Sequence, residues 1–236
     1  MAAASFQLLA DGLAELCRND SGADRLIGPR REEILSLLIK YITEIELCNP
    51  ALGLVGTNDR QELITRHILD SLAPLGLITQ IITKHIDPAA RLQIADVGSG
   101  AGLPGIPLAI VMPDAEFTLI ERKGRRAGFL RNTQTALGLS RVTVEEAEME
   151  KAPPGRFDVV TFRAFKPLEP KIVKKLLRLC AEGGVLAAYK GRREKIDDEI
   201  AALETVWKQN KALVWEVFPC SVPFLDEERH LVVIKL

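Results

Sequence analysis

The sequence has little of what marks secreted, membrane-spanning or disulfide-stabilised proteins. Its four cysteines, Cys17, Cys48, Cys180 and Cys220, lie far apart and form no Cys-x-x-Cys pair. A chain of this length buries enough apolar surface to fold without disulfide bonds, so we interpret them as free thiols in a reducing compartment. No basic region precedes the first apolar stretch, and no run of about 18 apolar residues occurs. We therefore expect a cytoplasmic protein with no membrane partner.

An excess of charge of one sign is also absent. The chain has 31 Lys and Arg against 32 Asp and Glu, which gives a formal net charge of −1 at pH 7. This balance argues against a protein that binds nucleic acid over its whole surface, but it is compatible with a local basic patch. Composition is ordinary for a globular protein, and it leaves the function open.

Helical periodicity dominates the first third of the chain. Apolar residues at positions 34–45 recur along one helix face, and this helix should end before the turn-forming pair Asn49-Pro50. Residues 60–72 form a second amphipathic candidate. Since no strand is indicated here, we predict a helical segment over residues 1–88, packed on a core domain of residues 89–236.

Short β-rich and helical runs alternate from residue 91 onward. The predicted strands are 92–97, 116–121, 142–145, 157–162, 185–189, 213–217 and 231–235. Predicted helices lie between most of them, at 104–112, 123–137, 168–181 and 194–210. Such alternation predicts the α/β class, with a mostly parallel sheet covered by helices on both faces. Only a loop separates the last two strands, so they should pair antiparallel at the sheet's end.

The most informative stretch is LQIADVGSGAGLPG, residues 92–105. A hydrophobic strand ends at Val97, and glycines follow at positions 98, 100 and 102. Glycine lets the backbone turn sharply and approach a ligand closely. The next strand ends at Glu121, whose carboxylate can accept two hydrogen bonds from the vicinal hydroxyls of a ribose. Because ligands of doubly wound sheets bind beyond the carboxyl ends of the strands, the loop and Glu121 together indicate an adenosine-type cofactor.

Two cofactors of that type fit the pair. Residues 100–105 match Gly-x-Gly-x-x-Gly, and Glu121 lies near the spacing of a nicotinamide site. In the dinucleotide fingerprint, however, the first glycine directly follows the strand, and here that residue is Gly98. Counted from Gly98, the pattern is Asp-x-Gly-x-Gly-x-Gly, which favours S-adenosylmethionine (SAM). Three glycines lie next to two acidic residues at strand ends, Asp96 and Glu121. This arrangement argues against a tight turn that binds no ligand.

The residues after the fourth strand restrict the methyl acceptor. Amino-methyltransferases of nucleic acids usually carry Asn/Asp-Pro-Pro-aromatic there, whereas this chain has Thr161-Phe162-Arg163-Ala164-Phe165. Methylation at cytosine C5 needs a nucleophilic thiolate nearby, and no cysteine is present. A ring nitrogen such as guanine N7 has a free lone pair and no proton to lose. Aligning this nitrogen with the methyl group of the sulfonium would therefore suffice for transfer, and we predict no catalytic general base.

Basic residues form three groups that could contact RNA phosphates. They are Arg122, Lys123, Arg125, Arg126 and Arg131; Lys190, Arg192, Arg193 and Lys195; and Arg229 with His230. A solvated helix face explains any single group equally well. The residues predicted to contact RNA are Arg122, Lys123, Arg125, Arg126, Lys190, Arg229 and His230. His67 and Asp70 lie three apart on one predicted helix, which indicates a local hydrogen bond, and we expect no metal.

Six segments carry a resemblance to a known family. They are RHILDSL (66–72), DVGSGAGLPGIPLAI (96–110), LIERKGRRAGFL (119–130), FRAF (162–165), YKG (189–191) and LDEERHLVVIK (225–235). In this order and spacing, from about residue 41 onward, the chain resembles ribosomal RNA small subunit methyltransferase G, formerly called glucose-inhibited division protein B.

The resemblance implies a Rossmann-like, SAM-dependent methyltransferase fold with a seven-stranded sheet and an antiparallel last strand. It also implies transfer of a methyl group to N7 of a guanine in the 530 loop of 16S ribosomal RNA, free or in a small-subunit particle. Cofactor contacts map onto Gly98, Gly100, Leu103, Glu121, Ala147, Glu148 and Arg163, the last closing and positioning the site. The family often has arginine where this chain has Glu146, so the adenine side of the pocket should differ.

Three other functions compete with this interpretation. A SAM-dependent enzyme could act on another RNA base or on a small molecule, and a scaffold with this fold could bind SAM or RNA without catalysis. The cofactor loop, Glu121 and Arg163 weigh against the scaffold. A nicotinamide enzyme would be revealed by the cofactor that binds in calorimetry.

Overall fold

The computed structural model describes residues 2–85, 91–163, 167–207 and 213–235. Its central sheet has seven strands: β1 (Gln93–Val97), β2 (Glu116–Ile120), β3 (Val142–Glu145), β4 (Phe157–Arg163), β5 (Cys180–Lys190), β6 (Val214–Pro219) and β7 (His230–Lys235). Their spatial order is β3-β2-β1-β4-β5-β7-β6. The chain order reverses between β1 and β4, which are parallel neighbours, so the topological switch point lies there.

The last two strands pair as the sequence predicts, and β7 is inserted between β5 and β6. It runs antiparallel to both of them. Four consecutive residues of β7, from Leu231 to Ile234, are buried, as in a strand covered on both faces. In β6 exposed and partly exposed side chains alternate and Pro219 is the last residue, which suits the edge of a sheet. The prediction of a mostly parallel seven-stranded sheet with an antiparallel last strand is confirmed.

Helices cover both faces of the sheet. Their bounds are α1 (Ala2–Asn19), α2 (Ser21–Ile27), α3 (Arg31–Leu52), α4 (Arg60–Leu63), α5 (Asp70–Leu72), α6 (Leu75–His85), α7 (Gly105–Val111), α8 (Gly124–Ala136), α9 (Pro170–Leu177) and α10 (Arg193–Trp207). A 3₁₀ turn, Gly28–Arg30, precedes α3, and a π-helical turn, Ile64–Leu69, joins α4 to α5. Within the described ranges, no helix has the length and apolar character needed to cross a membrane.

The N-terminal helices share one hydrophobic core with the sheet. Leu9 and Leu13 of α1 and Tyr41 of α3 are fully buried in the same cluster as Ile94 of β1 and Leu119 of β2. Helices α9 and α10 pack on the opposite face, in a second cluster. The predicted division between residues 88 and 89 lies outside the described residues and stays a prediction.

Two predicted helix ends are wrong. Helix α3 continues through Asn49-Pro50 and ends at Leu52. The next residue, Gly53, is left-handed, and its N–H donates to the Asn49 carbonyl at 2.9 Å. Proline removes a single amide hydrogen bond in the last turn, and the glycine supplies the actual stop. Helix α9 ends at Leu177, before the predicted end at residue 181, because β5 already begins at Cys180, which pairs with Phe157 of β4. The predicted end of α10, at residue 210, lies outside the described ranges.

Candidate functional site

The glycine loop crosses the carboxyl end of β1 at the switch point. Gly98, Gly100 and Gly102 have positive φ angles of 71°, 57° and 93°, which side chains with a Cβ rarely adopt. Close packing follows at Gly105, where a Cβ would lie 2.8 Å from a carboxylate oxygen of Asp96. The loop therefore needs glycine both for its turns and for the approach of α7 to the strand.

Glu121 fixes the shape of this loop. Its Oε2 accepts a hydrogen bond from the Gly100 amide at 3.0 Å, and its Oε1 accepts one from the Lys123 amide at 2.8 Å. The residue is 5% exposed. Each carboxylate oxygen has a further lone pair, so Glu121 can hold the loop and still accept hydrogen bonds from a ribose.

A cavity of about 450 Å³ opens beside these groups, and we call it the cofactor cavity. Four predicted cofactor residues line it: Gly98, Glu121, Ala147 and Glu148. Gly100 adjoins it through its bond to Glu121, and Leu103 is buried in the loop at 6% exposure. The structure thus brings together most of the residues that the sequence assigned to the cofactor.

Asp96, near the carboxyl end of β1, is a further residue of the site, and its place in the sequence motif does not indicate its role. It is fully buried, its Oδ2 accepts a hydrogen bond from the Gly105 amide at 3.1 Å, and its Oδ1 has no partner among the described residues. Burial raises the pKa of Asp96 to about 7. A buried carboxylate oxygen without a partner is costly. Asp96 does not itself line the cofactor cavity, so a cationic amino group such as that of SAM would satisfy Oδ1 by reaching past the glycine loop. The residues present therefore fit SAM.

Affinity for SAM should depend on pH through Asp96. Below its raised pKa the carboxyl group is protonated and must lose a proton to pair with a cation, so affinity should rise as pH rises toward about 7. We expect about a tenfold tighter dissociation constant at pH 7 than at about pH 5.5 by calorimetry, where an α-amino group stays protonated throughout. Asp96→Asn should bind more weakly and show no such dependence. A wild-type affinity that is flat over this range would contradict the role of Asp96.

Arg163, at the end of β4, points away from the cofactor cavity. Its Nη1 donates to Asp70 Oδ2 at 2.8 Å and to the Arg66 carbonyl at 3.1 Å, and its Nη2 lies 2.9 Å from His67 Nδ1. Burial and three nearby arginines lower the pKa of His67 to about 4, so the imidazole is neutral and accepts the bond. His67 and Asp70, which the sequence linked to each other, are thus joined through Arg163.

These residues line a second cavity of about 520 Å³ at the ends of β4 and β5, which we call the substrate cavity. Lys190 and His230, predicted to contact RNA, lie in its wall with Arg163 and Arg229. Lys190 Nζ is 2.6 Å from Glu199, and His230 Nδ1 is 2.6 Å from the Gly191 carbonyl. Because β7 pairs antiparallel with β5, His230 lies directly opposite Lys190.

Four residues of the first basic group form two sets, and the fifth, Arg131, pairs with Glu146 at 3.2 Å. Arg122 and Lys123 line the cofactor cavity. Arg125 and Arg126 donate to the Ala51 and Gly53 carbonyls, at 3.2 and 2.6 Å, and Arg126 also lines the cofactor cavity. Cations at a helix C-terminus are favoured by the helix dipole, so this pair also anchors α3 to α8.

Some functional residues gave no clear sequence signal. The Tyr41 hydroxyl donates to the Ala101 carbonyl at 2.8 Å and so fastens the glycine loop to α3. In sequence Tyr41 is one member of an apolar stripe. Asn49 binds the following loop through Val55, Thr57 and Asn58, although its pair with Pro50 indicated a turn. In the described part of the chain, no group of three metal-ligating side chains comes together.

Two solved structures share the fold of this chain. The fold is similar to that of a SAM-dependent methyltransferase from Aquifex aeolicus, with a TM-score of 0.51 and 16% identity over 71% of this chain and 92% of that one. It is also similar to magnesium protoporphyrin IX methyltransferase from Synechocystis PCC 6803, solved with bound SAM, with a TM-score of 0.54 and 13% identity over 83% and 97% of the two chains. Both likenesses concern the fold.

Sequence comparisons define the family. The family model described as rRNA small subunit methyltransferase G matches residues 34–232. The protein of that name from Treponema pallidum is 39% identical over 96% of this chain and 92% of its own length. The one from Cronobacter sakazakii is 39% identical over 84% and 87%. The chain belongs to the ribosomal RNA small subunit methyltransferase G family, and its cofactor is SAM.

Proposed function

We propose that this enzyme transfers the methyl group of SAM to N7 of a guanine in the 530 loop of 16S ribosomal RNA, in the cytoplasm. The observation that carries the proposal is the pairing of two cavities at one edge of the sheet, in a member of this family. One cavity has the groups for an adenosine cofactor, and the other is lined by arginine, lysine and histidine. A basic cavity suits a nucleotide of RNA better than an uncharged small molecule.

The cofactor cavity would hold SAM through groups that are already fixed. SAM supplies an electrophilic methyl group on a sulfonium. Glu121 would accept the ribose hydroxyls, Asp96 would face the amino group, and Ala147 and Glu148 would flank the adenine. Because backbone amides hold the Glu121 carboxylate in place, binding requires little rearrangement there.

The substrate cavity would orient the guanine without deprotonating it. Arg163 stays protonated over the accessible pH range, and its bonds to Asp70 and His67 keep it in place. His67 has a pKa of about 4, and the guanidinium occupies its Nδ1. Neither residue is suited to be a base near neutral pH, which agrees with an acceptor nitrogen that has no proton to lose.

Contacts to RNA would extend beyond the two cavities. Arg122 and Lys123 are exposed on one side, and Arg229 and His230 line the wall of the other cavity. Arg125 and Arg126 are engaged with α3, so their proposed contacts to phosphate would have to share or replace those bonds. The assembled small-subunit particle and free RNA are both substrates of suitable chemistry.

Mass-spectrometric mapping of 16S RNA modifications tests the proposed reaction. A strain without this protein should lack one N7-methylguanine in the 530 loop, and a wild-type copy should restore it. In vitro, the single-turnover rate at saturating SAM and RNA should show no ascending limb from a base between about pH 6 and 9. Methylation of a different base, or a one-proton rise that one side-chain mutation abolishes, would contradict the proposal.

A further inference from the structure

We infer that Arg66 and Arg229 form a binding site for a phosphate of the RNA, and that the Glu227 carboxylate occupies this site until RNA displaces it. The inference rests on the proposed RNA substrate and names a contact that it would use. The arginines come from different parts of the chain: Arg66 from the π-helical turn and Arg229 from the loop before β7. Both line the substrate cavity.

One carboxylate bridges the two guanidinium groups. Glu227 Oε1 lies 2.6 Å from Arg66 Nη2, and Glu227 Oε2 lies 3.1 Å from Arg229 Nη2. The two arginines lower the pKa of Glu227, so the group is an anion at neutral pH. A phosphodiester also presents two anionic oxygens, and arginine binds phosphates and carboxylates with the same donor geometry. Glu227 therefore stands where a phosphate would be bound.

The bridge is exposed enough to be exchanged. The side chains of Arg66 and Glu227 are 41% and 42% exposed, and ion pairs of this kind contribute little to stability. Glu227 lies in the irregular loop between β6 and β7, outside any regular element. Moving its side chain thus disrupts no helix or strand.

Arg229 stays oriented when Glu227 leaves. Its Nε lies 3.2 Å from Asp70 Oδ1, and the Asp70 side chain is only 9% exposed. Asp70 in turn is held by Arg163. The Nη1 of Arg229 donates to the Glu228 carbonyl at 2.9 Å. The buried Asp70 and this carbonyl therefore hold the guanidinium in place, while Nη2 contacts the exposed Glu227.

Arg66 is held in a similar way through its backbone. Its carbonyl accepts the hydrogen bond from Arg163 Nη1, which fixes the π-helical turn against β4. Such turns often occur at functional sites. Among the described residues, its side chain contacts Glu227 and, at 3.9 Å, Glu62. The backbone of Arg66 and the guanidinium of Arg229 are thus in place before RNA binds.

Glu227→Gln is the direct test. It removes the competing charge and keeps the shape of the side chain. We expect this variant to bind a 530-loop RNA fragment and a non-cognate oligouridine about three- to tenfold more tightly than wild type at low salt, with a steeper salt dependence. Arg66→Ala should bind both RNAs more weakly. Its plot of log affinity against log salt concentration should be shallower, by the equivalent of about one phosphate contact. Fluorescence anisotropy over a salt series measures both quantities.

Glu62→Gln is the matched control. It makes the same change of charge beside the same arginine, but Glu62 does not bridge to Arg229. We expect RNA affinity within about twofold of wild type. The gain from Glu227→Gln should also disappear in the Arg66→Ala background, because its binding partner is then absent. Equal effects of Glu227→Gln and Glu62→Gln, or a gain that persists in that background, would overturn the phosphate site.

This outcome is separable from a failure of the proposed reaction. Oligouridine contains no guanine, so its affinity reports the phosphate site whatever base is methylated. If modification mapping finds no N7-methylguanine but Glu227→Gln still tightens oligouridine binding, the phosphate site stands and the reaction is wrong. If N7 methylation is found and no variant alters RNA binding as expected, only the phosphate site is wrong.

Discussion

Replacing Glu121 with alanine is expected to weaken SAM binding by about 100-fold. Two charge-assisted hydrogen bonds to the ribose, each worth roughly 1.5 kcal/mol or more, correspond to about two powers of ten in the dissociation constant. The glycine loop should loosen as well, because Glu121 also accepts the amides of Gly100 and Lys123. Isothermal titration calorimetry with SAM measures the loss.

Two further variants identify the cause of that loss. Glu121→Gln keeps the shape and one acceptor oxygen, so it should lose less affinity than Glu121→Ala. Glu150→Ala removes a carboxylate from the wall of the same cavity, where it pairs with Lys175, and should leave SAM affinity nearly unchanged. If Glu121→Ala binds SAM as wild type does, or if Glu150→Ala is equally defective, Glu121 is not the ribose acceptor.

Replacing Arg163 with alanine should lower the single-turnover rate of methyl transfer by about 100-fold or more, since errors of about 1 Å in position can cost that much. The variant deprives Asp70 of one of its two arginine partners and releases His67 and the π-helical turn. Loss of a partner from a buried ion pair lowers the free energy of unfolding by about 3–5 kcal/mol. Because Arg229 still pairs with Asp70, we expect a loss near the lower end of this range. Rapid-quench assays and chemical denaturation measure the two effects separately.

Arg163→Lys and the affinity for SAM complete this test. Lysine keeps the charge but cannot reach Asp70, His67 and the Arg66 carbonyl together, so it should rescue little activity. Because Arg163 lines the substrate cavity, SAM affinity should stay within about threefold of wild type in a folded variant. A wild-type rate for Arg163→Ala would exclude the positioning role, and a selective loss of SAM affinity would assign Arg163 to the cofactor instead.

The sheet and the cofactor loop could be predicted because their signals are local. Each strand is a short hydrophobic run, and the turn after β1 needs glycine where φ is positive. Glu121 follows from the loop, since parallel strands end at the same edge of the sheet. The resemblance to the family then supplied Ala147 and Glu148, which line the same cavity.

The contacts that join distant parts of the chain could not be predicted in this way. Arg163 meets Asp70 across 93 positions, and Arg126 meets Gly53 across 73. In sequence, Arg125 and Arg126 are equally compatible with a solvated helix face and with RNA. Their bonds to the end of α3 depend on the packing of α3 against α8, which the sequence does not indicate. Helix α1 lies outside the six segments that carry the resemblance, and those segments do not indicate that its leucines fill the core.

The separation of the two cavities bears on the order in which ligands enter and leave. Among the described residues, the cofactor and substrate cavities share no lining side chain. Neither ligand would therefore have to pass through the other's cavity to enter or leave the enzyme. The demethylated cofactor could leave and SAM could bind while the RNA stays bound. The separate cavities thus allow SAM and RNA to bind in either order.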